Sequence, residues 1–280
     1  MLDVGYLMFM AMLQVSQLFI YPIKSLGGIS LKSAVVLKKG LEHDRRWMLV
    51  DEENVFLTQR IHNKMALFRM SFSNNGFQVS YDGQQLEIDS TIEGDPVRAK
   101  IWDDEVTVQE VSSAHSEWFS KNLGIRCKLV AFPEENERPV DQEYRVGDDQ
   151  VSLADAYPLM IVGQSSLDDL NERLKDPVPM NRFRPSVVFT GGEAFEEDNW
   201  SMFSMGDLTF AAVKLCKRCV LITVDQQTGI KGVEPLATLS KFRRKDNGVY
   251  FGQNVIPTKH GQISTGDEII INSHSSRWPS

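Results

Sequence analysis

The stretch 214-KLCKRCVLITVDQQTG-229 places two of the chain's three cysteines among Lys214, Lys217 and Arg218. A redox C-x-x-C of the thioredoxin kind opens a helix after a strand. Here the β-branched run 220–224 follows directly and predicts a strand instead. Side chains alternate between faces along an extended chain. Cys216 and Cys219 are three positions apart, so one is expected in a pocket and the other in the core. A structural zinc site needs four ligands, but Cys127 is distant and the five histidines do not cluster. Two uses stay open on these residues alone: a pair of small buried hydrophobes, or one metal-binding thiolate favoured by its cationic neighbours.

The rest of the chain extends the β pattern. The apolar run 17–23 ends at the loop 24-KSLGG-28. Segments 47–50 and 55–58 flank Asp51-Glu52-Glu53-Asn54 and predict a hairpin. Segments 77–81 and 85–88 flank Asp82-Gly83, a stronger hairpin signal. A strand over 186–190 follows Pro185, and a closing strand covers 268–271. Helices are few. One is expected at 113–123, stopped by Gly124, and one at 165–174, opened by Ser165 with Asp168 at capping-box spacing. The fold class is therefore mainly β with a few helices (α+β). The charged, proline-containing stretch 133–149 marks a linker. The expected division is 14–130, a linker at 131–149, and 150–273.

Bulk properties bound the function. The 280 residues carry a net charge of −8, so no global basic field exists for nucleic acid, although one cleft can still be cationic. Three cysteines make no disulfide framework, and a reducing, cytoplasmic setting is expected. The apolar segment 4–13 is about half the length of a membrane span. It is expected to be an extra packed segment or a start-site extension ahead of Met12, with no membrane partner.

Three further segments carry candidate chemistry. In 21-YPIKSLGG-28, Lys24, Ser25 and amides near glycine can hold an anion, or form a solvated turn. In 43-HDRRWMLVD-51, Arg45 and Arg46 should point to opposite faces. One would enter a cleft, and the other would be solvated or paired with Asp44. In 181-NRFRPSVVFTGG-192, Arg184 is expected to be held extended by Pro185, as a phosphate ligand or a surface arginine. The acidic segment 193-EAFEEDNW-200 predicts a solvated loop anchored by Trp200.

Taken together and in order, IYPIKS, DRRW, FRPSVV-FTGG, EEDNW, KRCVLITVD-QQTG, EPL-TL and FGQN resemble the MOSC family of molybdenum-cofactor proteins. Within it, the pattern is similar to that of its N-hydroxylated-compound reductases and amidoxime-reducing components. The resemblance covers about 14–272. It implies an N-terminal β-barrel-like domain followed by a MOSC β-barrel domain, and molybdopterin as cofactor. By position it implies Cys219 as catalytic residue and molybdenum ligand. It likewise implies Lys24, Ser25, Arg45 and Arg184 as cofactor-binding residues, with Glu193 and Asp198 as acidic ones, and it leaves Cys216 structural.

The activity implied is two-electron reduction of a small N-hydroxylated substrate, an amidoxime, hydroxylamine or N-hydroxylated base, with a role in detoxification. The alternative is a cofactor or sulfur carrier without turnover. A pyridoxal-phosphate-binding term also attaches to the family. Lys217 departs from the pattern, because close relatives tend to have serine there. No cysteine follows Cys219, so the C-x4-C-x2-C of a plant-type ferredoxin does not occur. Electrons are expected from an external flavin or iron–sulfur protein.

Overall fold

The long strand Leu208–Lys217 is the spine of the fold. It pairs antiparallel with Trp200–Met205 on one side and with Gly248–Pro257 on the other. The sheet continues through Leu159–Gly163 and Val187–Thr190 to Gln14–Ile20 and Ile29–Leu31. The chain's first described strand therefore belongs to the same sheet as its last third. A second tie is the pairing of Gly261–Ser264 with Ser33–Leu37. This computed structural model describes residues 12–89 and 92–275. The segment 4–13 falls almost wholly outside them.

Two smaller sheets belong to the first half. Trp47–Val50, Lys128–Ala131, Asp104–Glu110 and Pro96–Ile101 form one. Arg69–Ser73, Gly76–Tyr81 and Gln84–Ile88 form the other, and the predicted turn at Asp82-Gly83 is found, with φ of +48° and +74°. The molecule is mainly β, with three α-helices among the described residues.

Helix α1 spans Ser113–Leu123 as predicted. The Ser112 side chain accepts from the His115 N–H, and Gly124 ends the helix in the left-handed region. Helix α2 (Gln164–Glu172) differs at its start: Gly163 is the cap and Ser165 lies inside the first turn. No side chain caps the first turn; the buried Glu197 carboxylate accepts from the Gly163 N–H and from the Ser166 hydroxyl. Helix α3 is Leu236–Phe242.

The 47–58 hairpin is present in short form: Val50 bridges Phe56 antiparallel, and the Leu57 N–H donates to the Leu49 carbonyl, while Trp47–Val50 takes its longer pairing from Lys128–Ala131. Asp51 organises its turn by accepting from the Glu53 and Val55 N–H groups. Two local expectations are corrected. The β-branched run after Cys219 is a 3-10 turn, Val220–Thr223, not a strand. The Thr223 hydroxyl donates to the Val220 carbonyl, and Ile222 turns inward to a cluster with Leu239 and Phe251. The acidic loop is not solvated either: Glu197 and Asp198 are buried, and Trp200 is fully buried.

Packing fixes this frame. Phe189, Trp200, Phe203 and Phe210 follow one another in ring contact through the main core, the first two pairs tilted and the last stacked. Each fully buried side chain of this size contributes roughly 1.5–3 kcal/mol relative to exposure.

Candidate functional site

A cavity of about 400 Å3 opens where the loop 24–25, the loop 154–158, Arg184 and the end of the long strand meet. The strand's register shifts between Leu215 and Lys217. A bulge breaks the alternation of side chains and commonly re-aims them beside functional sites. Cys216 and Cys219 both line the cavity, while Cys216 alone also packs against the core cluster around Phe183 and Phe251, so the expected split between pocket and core is partial. Both are free thiols. Arg60 Nε donates to Cys219 Sγ at 3.1 Å, and Arg218 Nη1 donates to Cys216 Sγ at 3.0 Å. Among the described residues, no three His, Cys, Asp or Glu side chains converge as a metal-binding set.

Lys24, Ser25, Arg45 and Arg184 also line this cavity. The structure thus brings five of the predicted site residues together, counting Cys219. Three of them have left-handed backbones: φ is +68° at Ser25, +52° at Arg45 and +55° at Arg184. Non-glycine residues there cost about 1–2 kcal/mol each, and such strain gathers at functional sites. The Arg184 value corrects the extended conformation expected before Pro185. Its side chain explains the departure: Nη1 donates to the Leu26 carbonyl at 2.6 Å, and the guanidinium lies 4.1 Å from the Tyr21 ring centroid. Arg45 lies 4.3 Å from the same ring and pairs with Asp44. Arg46 is neither solvated nor paired with the Asp44 carboxylate. It is buried, donates to the Asp44 carbonyl and pairs with Glu134.

Burial weighs on the cations that line the cavity. Burial lowers Lys24 to about 8, against the opposing pull of Asp155. Burial lowers Arg184 to about 10. Burial pushes the Tyr21 phenol up to about 12 even though Arg184 and Arg45 pull it down, so it stays neutral beside them. Of the loop's amides, the Gly27 N–H is taken by the Phe68 carbonyl. Gly28 serves contact instead, since a Cβ there would sit 2.5 Å from the Tyr21 ring.

Two residues that the sequence did not single out complete the site. Asp155 accepts from Lys24 Nζ at 2.6 Å, from Arg60 Nη2 at 2.8 Å and from Trp102 Nε1 at 3.2 Å. Burial raises an acid, but Lys24 and Arg60 outweigh it and hold Asp155 well below the carboxylate range. Arg60 lies over Trp102, and Asp155 and Cys219 together raise its pKa against the effect of burial. Only the triplet Thr58-Gln59-Arg60 and the lone Asp155 carry them in sequence, with no spacing signal. Glu193 and Asp198 do not line the cavity, which corrects their expected placement. Asp198 pairs with Arg243, and the Glu193 carbonyl accepts from Ser165.

A mainly β molecule thus holds one cavity in which several cations surround a free thiol. The family model for the MOSC domain matches residues 148–270, and that for the MOSC N-terminal beta barrel domain matches 12–126. The chain belongs to the MOSC family. It is 31% identical to mitochondrial amidoxime-reducing component 1 of Mus musculus, over 92% of this chain and 82% of that one. It is 32% identical to the Xenopus laevis protein of the same name, over 91% and 81%. It is also 28% identical to the molybdenum cofactor sulfurase of Oryza sativa, over 95% of this chain and 34% of that one. No helix among the described residues is long and apolar enough to cross a membrane.

Proposed function

We propose that this chain is a molybdenum-cofactor-dependent reductase of N-hydroxylated compounds. The observation that carries it is the convergence of Cys219 with Lys24, Arg45 and Arg184 in one cavity. The cavity suits a small organic group. Among the described residues Arg184 is buried with no carboxylate in ion-pair distance, and Arg218, whose Nη atoms donate to Cys216 Sγ and the Phe183 carbonyl, keeps a buried Nε without a partner. Cations left in need of an anion, beside a soft sulfur donor, fit a pterin phosphate and a thiolate-bound metal.

When bound, the cofactor supplies the redox chemistry: the N–O bond breaks, oxygen leaves as water, and two electrons and two protons are consumed. The chain's own residues bind and orient. Lys24, Arg45 and Arg184 hold the phosphate end, with Ser25 beside them. Cys219 provides the metal ligand. Arg60 fixes the Cys219 sulfur through Nε, and Asp155 fixes Arg60 and Lys24 together. Electrons come from an external flavin or iron–sulfur protein. The amidoxime-reducing names of the relatives support the substrate class. The sulfurase name of the rice relative keeps a cofactor carrier without turnover as the rival.

The test is protein purified from a host supplied with molybdate, analysed for metal and pterin and assayed for benzamidoxime reduction with a chemical electron donor. The expected outcome is stoichiometric molybdenum and turnover, both lost in Cys219→Ala. Full activity in Cys219→Ala sinks the ligand assignment. Bound pterin without turnover in the unaltered chain identifies the carrier.

A further inference from the structure

A second cavity, of about 570 Å3, lies against the other side of the 217–220 segment. Lys217 and Arg218 belong to the walls of both cavities, whereas Cys219 lines the first and Val220 the second. The remaining walls come from the 231–233 loop, from α3 and from the 244–249 turn. This volume also falls in the range of small-molecule sites.

Its lining has two characters. Lys217, Lys231 and Arg244 are exposed cations, and Asp246 is the one carboxylate among its lining residues. Among the described residues neither Lys217 nor Arg244 has a carboxylate in ion-pair distance. Arg218 is committed elsewhere, to Cys216 Sγ and the Phe183 carbonyl. Beside these cations stand Val220 at 41% exposure and Val233 at 71%, with Leu236 between. Exposed valines are costly to hydrate, and cations clustered on a chain of net charge −8 reverse its field locally. Lys231 Nζ donates to the Arg60 carbonyl at 3.2 Å, but like Lys217 and Arg244 it faces no carboxylate in ion-pair distance among the described residues. An apolar floor beside cations without counter-charges suits an amphipathic anion.

We propose that the second cavity binds the body of an anionic N-hydroxylated substrate. Lys217, Lys231 and Arg244 meet its charge, and Val220, Val233 and Leu236 meet its apolar part. The substrate class rests on the function proposed above. The anion preference rests on the cavity alone. Lys217 and Arg218 line both cavities, so a molecule seated in the second shares a wall with the cavity that holds Cys219.

The experiment uses the cofactor-loaded chain and two separate readouts. Calorimetry measures binding of 4-carboxybenzamide, which has no N–O bond to reduce, against uncharged benzamide. Kinetics compare 4-carboxybenzamidoxime with benzamidoxime. The carboxylate probe should bind at least fivefold tighter than the uncharged one. Arg244→Gln and Lys231→Gln should each cut that preference at least threefold and lower the kinetic ratio of charged to neutral substrate by a similar factor. Both positions are exposed, so neither change threatens folding. Calorimetry decides the cavity: no preference for the carboxylate, or a preference that neither variant alters, overturns it. Turnover decides the reductase: charge-dependent binding with neither amidoxime reduced keeps the cavity and removes the reaction.

Discussion

Asp155 gathers Lys24, Arg60 and Trp102 on one carboxylate. Its partner Lys24 is only 5% exposed, and removing the counter-charge of a buried ion is costly. Asp155 itself is about half exposed, at 54% of its side chain, so water screens part of the pairing. Asp155→Asn is therefore expected to cost about 1–2 kcal/mol at pH 7. Lys24 titrates near 8 in the folded chain, below its ordinary 10.5. Near pH 9.5 it is largely neutral in the folded state with or without Asp155, so the loss should shrink there. Urea unfolding at the two pH values checks this, and a loss that grows with pH contradicts it. The same variant frees Arg60 and should lower molybdenum retention. No feature of the sequence around Asp155 announces any of this, because the group acts through residues 95 and 131 positions away. Lys24, Ser25, Arg45, Arg184 and Cys219 were readable only as an ordered set. The left-handed backbones of Arg45 and Arg184 were not readable at all, since packing on Tyr21, and for Arg184 the bond to the Leu26 carbonyl, overrides local preference.

Among the elements, α1 was legible because its signals are local: a serine cap, an apolar side and a glycine stop. Gly124 has φ of +78° with open space around its Cβ position, so Gly124→Ala tests backbone strain alone. It should cost about 1 kcal/mol, and so should Ser112→Ala. Both are measured by chemical denaturation. The turn after Cys219 was misread because β propensity there has no neighbouring strand to satisfy, and burial of Ile222 decides instead. The acidic loop was misread for a related reason. Burial, with the Asp198 charge beside it, raises Glu197 to about 7, and the Gly163 N–H and Ser166 hydroxyl oppose it weakly. Between its ordinary 4.5 and about 7 the folded chain holds a proton that the unfolded chain has released. Stability therefore falls as pH rises through that window and levels off above it, by at most about 3 kcal/mol from this group. Asp198 is raised by burial against Arg243 and acts in the same direction. Comparison of Glu197→Gln with the unaltered chain isolates Glu197: the variant should lose less stability between pH 5 and pH 8, and equal losses refute the assignment.

For the molecule as a whole, the sequence suggested a division near 133–149 but not the sheet that takes strands from both sides of it. Long-range pairing leaves no mark in composition. Gln14–Ile20 lies against Val187–Thr190, and Ser33–Leu37 lies against Gly261–Ser264. Separating the chain near the 133–149 stretch would strip a strand from each side and expose apolar edges. The intact chain is expected to unfold in one step, and 150–273 produced alone is expected to be insoluble or unfolded. Two resolved transitions, or a folded fragment, would falsify this. The position of Lys217 and Arg218 in the partition between the cavities has a thermodynamic corollary. If occupancy of one chamber changes affinity in the other by some factor, the reverse effect has the same size. Cofactor dissociation rates measured with and without a non-reducible ligand would therefore report on substrate recognition without a single turnover.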